Sequence, residues 1–263
     1  MESHAALTLT LLPGIDRRSL YALYRKLGSA AAVLEAREDW GDILPALATT
    51  APYTDDEWDN ARREADAARQ RSEASGIRLL LPADAAYPVR LARCEDAPLV
   101  LHVLGPADLN AARAVSIVGT RHASGPGRDR ARRLVCLEHD RDEHTLIVSG
   151  LAYGIDIEAH RAALALSMPT VAVLAHGLQT IYPAQHRPEA ALIARSGALV
   201  SEYPIGTPAR PQRFLERDRI IAALSDRTIV AESRGYGGSI VTARLAAEYG
   251  REVSVEESVD SAI

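Results

Sequence analysis

The chain has 263 residues, 47% hydrophobic and 25% charged, with a formal net charge of −5. That composition is of an ordinary soluble globular protein, and its acidic balance excludes wrapping in nucleic acid by bulk charge while leaving room for a local basic groove. No apolar run approaches the roughly 20 residues that span a bilayer, and the start Met1-Glu2-Ser3-His4 has no signal-peptide pattern, so no membrane association and a cytoplasmic location are expected. Cys94 and Cys136 form neither a Cys-x-x-Cys pair nor a disulfide framework, and the eight histidines are scattered. Neither a metal nor a cofactor is therefore expected. Lys26 is the only lysine among 30 basic residues; genome composition explains that, although arginine also suits bidentate phosphate contacts.

Residues 1–75 read as a small helical domain. Leu20, Leu23, Tyr24 and Leu27 recur at helical spacing and Gly28 ends the run, while residues 57–74 form a polar helix closed by Gly76. The turn Leu12-Pro13-Gly14-Ile15 resembles a helix-hairpin-helix, whose glycine-bearing turn donates N–H groups to DNA phosphate. Asp16 stands where that motif has its second glycine, and a carboxylate facing phosphate is unfavourable. A structural or protein-binding role for this domain is expected before a DNA-binding one.

From residue 76 to 263 strands alternate with helices. Strands are predicted at 77–81, 98–103, 114–118, 145–149, 170–174, 198–201, 227–231 and 252–255, with helices near 127–139, 157–167, 187–196 and 239–249. This alternation predicts an α/β fold, an extended Rossmann-like parallel sheet covered on both faces. The prolines at 82, 88, 98 and 106 suggest that residues 76–112 pack as an irregular extension.

Three strands run into small residues and then a helix. Val115-Ser116-Ile117-Val118 leads to Gly119-Thr120-Arg121. Thr145-Leu146-Ile147-Val148 leads to Ser149-Gly150-Leu151-Ala152-Tyr153-Gly154. Thr228-Ile229-Val230-Ala231 leads to Gly235-Tyr236-Gly237-Gly238-Ser239. Glycines admit a ligand close to backbone N–H groups, and helix N-termini carry partial positive charge, so turns of this kind predict a phosphate site. Near the first turn, Arg121 and Ser124 add a guanidinium and a hydroxyl; Arg121 could instead pair with Glu202 or Glu232. Around the only phenylalanine, Phe214, stand Arg213, Arg217 and Arg219. An aromatic beside arginines stacks a base while the charges hold phosphate, although a lone phenylalanine equally suits a core.

Motifs for turnover are missing. The chain lacks the Gly-x4-Gly-Lys-Ser/Thr phosphate loop and the full Gly-x-Gly-x-x-Gly dinucleotide pattern, and Ala152 occupies the serine position of a nucleophile-elbow outline. Asp156 and His160 lie four apart on one helix face. They read as a helix cap and a locally bonded histidine, or alternatively as a catalytic base and its orienter. No catalytic residue is assigned.

Residues 115–253 resemble the DNA-processing protein A (DprA/Smf) family. The matching strings are Ile117-Val118-Gly119-Thr120-Arg121, Ser149 to Asp156 with Ala159-His160, Gly177-Leu178 with Ile181-Tyr182-Pro183, and Ser201-Glu202-Tyr203-Pro204. Phe214-x-x-Arg217-Asp218-Arg219-Ile220-Ile221-Ala222 and Gly238-Ser239-Ile240-Val241-Thr242-Ala243 complete the set, in order and at family-like spacing. The resemblance implies a protein without turnover that binds single-stranded DNA, forms a homodimer and loads a RecA-type recombinase during natural transformation. It implies phosphate binding by Gly119, Thr120 and Arg121, with Ser149, Gly150, Arg217, Arg219, Gly238 and Ser239 in the same pocket.

The chain departs from the family at several points. Asp218 stands where the family usually has asparagine, and Gly237 where serine is usual. After Arg251-Glu252-Val253 the text diverges, and the winged-helix domain of many members is missing. The chain reads either as a short member or as a divergent paralogue. Two rival functions follow: a protein-interaction module that has lost DNA binding, and a nucleotide phosphoribohydrolase-like enzyme. The second would need a Pro-Gly-Gly-x-Gly-Thr string that is not reproduced here.

Overall fold

The computed structural model describes residues 1–48, 53–233, 235 and 237–256. Tyr236 of the last glycine-rich turn and the final residues 257–263 lie outside them.

The first part of the chain is helical: α1 (Glu2–Leu11), α2 (Arg17–Leu27), α3 (Ala30–Glu35), α4 (Trp40–Ile43) and the long α5 (Asp55–Ala74). Local chemistry sets their ends. Thr54 and Glu57 form a reciprocal capping box on α5. Gly28, at φ +84°, closes α2 in the left-handed conformation and donates its N–H to Tyr24 O at 2.8 Å. Asp16 caps α2 by accepting the Ser19 N–H at 3.0 Å. The Ser19 side chain above all, with this backbone bond adding to it against partial burial, holds the Asp16 carboxyl below its ordinary value. The carboxylate in the hairpin-like turn thus serves the helix behind it.

Eight strands follow: β1 (Arg78–Leu80), β2 (Leu101–Leu104), β3 (Ala114–Gly119), β4 (Leu146–Ser149), β5 (Thr170–Val173), β6 (Ala198–Ser201), β7 (Arg227–Glu232) and β8 (Glu252–Val255). Between them lie α6 (Val89–Ala92), α7 (Gly125–Arg141), α8 (Ile155–Ala165), α9 (Arg187–Ser196), α10 (Pro211–Ala223) and α11 (Gly238–Glu248). All form one sheet in the order β1-β2-β6-β5-β4-β3-β7-β8. The six strands from β3 onward run parallel.

Two features differ from the sequence reading. Residues 76–112 are less irregular than expected: β1 and β2 extend the sheet, pairing antiparallel with one another and with β6, Val103 opposite Val200. No crossover helix ties β2 directly to β6, so nothing obliges the pair to run parallel. The segment around Phe214 is also a full helix, α10, opened by Pro211 at its first turn. Its charged residues hide it from a hydrophobic-period search. Arg217, Asp218 and Arg219 are buried in place of apolar side chains.

The helical layer and the sheet share a core, in which Leu7, Leu9, Leu23 and Trp58 join Leu101, Val103 and Val200. Arg17 crosses between them, donating to Glu202 at 2.9 Å and to Glu216 at 2.5 Å. A second core under α7 and α8 packs Ile117, Ile147 and Ile155. The chain winds from β3 through α7 to β4 on one side, and returns through α10 to β7 on the other. The carboxyl ends of β3 and β7 therefore flank a topological switch point, where open α/β sheets leave a crevice.

Replacing the cap of α2, Asp16→Ala, is expected to destabilise the fold by about 1 kcal/mol, read from the shift in a urea melting curve.

Candidate anion-binding cleft at the switch point

A cleft of about 360 Å³ opens at this point. Its walls are the end of β3 (Val118 to His122), the start of α8 (Ala152, Asp156), one face of α10 (Phe214, Arg217, Asp218, Ile221), Ser233 after β7, and the first turn of α11 (Gly237 to Thr242). Of the residues singled out in the sequence, Gly119, Thr120, Arg121, Phe214, Arg217, Gly238 and Ser239 converge here. Ser124, Ser149, Gly150 and Arg219 lie behind the walls.

The reason is that two of the three glycine-rich turns are already filled by the protein's own carboxylates. At the start of α7, Glu232 accepts the Ser124 N–H at 3.0 Å and the Ser124 hydroxyl at 3.2 Å. Ser124 in turn caps the helix through the Gly127 N–H at 2.9 Å. A Cβ on Gly127 would fall 1.5 Å from Glu232 Oε2, so that glycine makes room for a side chain of the chain itself. Before α8, Asp156 accepts the Gly150 N–H at 3.1 Å. Asp156 is not the helix cap that the sequence suggests; Gly154 holds that place at φ +78° and ψ −120°. A Cβ on Gly154 would lie 2.1 Å from Thr120 O, and one on Gly150 would lie 2.7 Å from the Arg217 guanidinium. Ser149 is fully buried and donates to Ile117 O at 2.7 Å.

The third turn stays open. Gly237, at φ +114°, leads into α11 with no side-chain cap. Among the described residues, nothing accepts the N–H groups of Gly238 and Ser239. Ser233, also in the cleft lining, is 1% exposed, and its buried hydroxyl has no hydrogen-bond partner among the described residues. An orphaned buried hydroxyl and two free amides at a helix N-terminus are the donors an anion uses.

Arg217 organises the floor. Its Nε donates to Asp218 Oδ1 at 3.0 Å, and Nη1 donates to Gly150 O at 2.7 Å and to Val173 O. Burial pushes the Asp218 carboxyl up to about 6, against the pull of Arg217 and with a further push from Asp156. Burial likewise raises Asp156, opposed by Arg217 and by its own backbone hydrogen bonds. His160, on the same face of α8, bonds Thr170 Oγ1 at 2.8 Å, and burial lowers its pKa to about 3.

At the mouth, the exposed Arg121 lies over the Phe214 ring, 5.4 Å from its centroid. Among the described residues it reaches no carboxylate: Glu202 bonds Arg17 and Arg219, while Glu232 bonds Ser124. Phe214 is half-buried beside Tyr182, whose ring centroid is 5.5 Å away, and Tyr182 is 49% exposed. Arg219 is committed elsewhere, to Glu202 and to Asp96 O at 2.7 Å. The sequence reading left out Ser233 and Thr242 as cleft residues, and Tyr182 as the neighbour of Phe214. Ser233 was reachable from its position at the end of a switch-point strand; Tyr182 comes from a distant loop and carries no such signal.

A doubly wound sheet with a crevice at its switch point defines a Rossmann-like fold. The family model for DNA recombination-mediator protein A matches residues 78–262, and the chain belongs to that family. It is 41% identical over 210 residues to the putative DNA processing protein DprA of Mycobacterium tuberculosis, covering 74% of this chain and 54% of that one. Protein Smf of Escherichia coli is 43% identical over 176 residues, covering 66% and 46%. The chain thus spans about half the length of these curated relatives. Among solved structures, DNA processing protein A of Streptococcus pneumoniae superposes with a TM-score of 0.79 at 28% identity, covering 99% of this chain and 89% of that one. The Helicobacter pylori protein, whose structure describes a single-stranded DNA binding mode, superposes with a TM-score of 0.63 at 28% identity, covering 70% and 82%.

The raised Asp218 carboxyl has a measurable consequence. Above pH 6 the folded chain holds a buried charge that the unfolded chain solvates freely. The penalty fades as the pH falls from 6 towards the ordinary value of 3.8. Relative to the parent, Asp218→Asn is expected to gain on the order of 1–3 kcal/mol in stability between pH 4 and pH 7.5, as read from paired urea melts at the two pH values.

Proposed function

We propose that this protein binds single-stranded DNA across the switch-point cleft and acts without turnover, protecting the strand and passing it to a RecA-type recombinase in the cytoplasm. The observation that carries this reading is the pairing of an unfilled α11 N-terminus with Arg121 stacked on Phe214 at the mouth. Backbone phosphate meets the Gly238 and Ser239 amides and Arg121, while an unstacked base meets Phe214 and Tyr182. A single strand offers both at once, whereas a duplex keeps its bases stacked inside. Family membership supports the same reading, as does the single-stranded DNA binding mode described for the Helicobacter pylori relative. Recombinase loading and a homodimer rest on the family resemblance alone.

Absence of turnover is the simplest reading of the floor. Ala152 offers no nucleophile, Asp156 is held by the Gly150 amide, and His160 by Thr170. One observation favours a second reading. Asp218 stands beside the only turn left for a phosphate, as a module that binds proteins and has given up DNA would allow.

Titration against a fluorescent oligonucleotide, single- and double-stranded, across a salt series separates the two readings. Single strands are expected to bind tightly and to weaken with salt. Arg121→Ala is expected to cost about tenfold in affinity and to reduce the salt slope by about one. No single-strand binding at low salt would contradict the proposal and favour the interaction module.

A further inference from the structure

Asp218 sits where it bears directly on any anion in the cleft. A Cβ built on Gly238 would lie 3.1 Å from Asp218 Oδ2, so the carboxylate presses against the first residue of α11, whose amides are free. Among the described residues, the charged groups facing this point are few. Arg121 and His122 come from the end of β3, Asp156 from α8, and Arg217 and Asp218 from α10. Arg217 is divided between Asp218 and two backbone carbonyls, and Arg121 stands out at the mouth on Phe214. Among the described residues, the inner end of the cleft therefore offers neutral donors, namely two amides and the Ser233 hydroxyl, beside the negative end of the Asp218–Arg217 pair.

We propose that Asp218 makes this cleft selective for phosphodiesters, which carry one negative charge, and turns away phosphomonoesters, which carry nearly two. This deepens the DNA-binding reading and rests on it. Neutral donors satisfy a monoanion without the help of a cation. A second charge on the same phosphate gains no partner and meets the carboxylate. A unit charge about 6 Å from Asp218, at an effective dielectric of about 40, disfavours the dianion by roughly tenfold. The interior of a strand would then be held in preference to free nucleotides and phosphorylated ends. The same charge argues against a phosphoribohydrolase, which must grip a 5′-monophosphate.

The test uses two small ligands that differ by one methyl group and one charge: thymidine 5′-monophosphate and its methyl ester. Each competes at pH 7.5 with a labelled oligothymidylate bound to the full chain. The ester is expected to displace the probe at about tenfold lower concentration, and Asp218→Asn to narrow that ratio towards one. Equal displacement by both ligands, or displacement by neither, would overturn the proposal using the unmutated protein alone. A ratio unchanged in a folded Asp218→Asn variant would overturn it as well. Direct binding of the labelled probe is read first. Its absence refutes DNA binding itself, so the two failures are distinguishable.

Discussion

The buried guanidinium of Arg217 is the contact on which the site depends. It ties α10 to the ends of two strands through Gly150 O and Val173 O, and it holds Asp218 against the start of α11. A charge buried this deeply is tolerable only if its donors are used and a counter-charge lies near. Both conditions are met by groups that also shape the cleft. Gly150 is a glycine because that guanidinium leaves no space for a Cβ. Side-chain electrostatics and backbone geometry are thus one constraint, and the crevice between β3 and β7 is what it leaves over.

The same economy explains why two of the three glycine-rich turns are closed to a ligand. A parallel sheet brings several helix N-termini to one edge, each with unsatisfied N–H groups and partial positive charge. Glu232 satisfies the first of these turns and Asp156 the second. Each internal carboxylate plays the part a ligand phosphate would otherwise play. Of the three glycine-rich turns, the one that leads into α11 is left open among the described residues. Recognition is therefore confined to a short stretch, with an arginine on an aromatic ring at one end and a carboxylate at the other.

The sheet was legible because its strands are short apolar runs bounded by turn residues. All eight predicted strands correspond to observed ones, and the alternation with helices points to the fold. The antiparallel edge was not legible, because the partner of β2 lies about 95 residues on, as β6. Helix α10 was hidden by the charges that it buries. Within the site, the open turn and Arg121 could be read from strand-end position. The occupied turns could not, since a glycine reads the same whether it admits a phosphate or a neighbour's carboxylate. Ser124 was singled out for its hydroxyl, and Ser149 and Gly150 through the family resemblance, yet they serve Glu232, Ile117 and Arg217. Arg219 was chosen for its charge, and that charge is spent on Glu202 and the Asp96 carbonyl.

The location of the bound phosphate is the central claim, and backbone amide shifts test it most directly. In ¹⁵N-labelled protein titrated with an unlabelled single-stranded oligonucleotide, the Gly238 and Ser239 amides should move downfield, with Arg121 following. The Gly127 and Gly150 amides, already bonded to Ser124 and Asp156, should stay in place. Large shifts at Gly127 and Gly150, with none at Gly238 and Ser239, would place the strand elsewhere and contradict the cleft as its site.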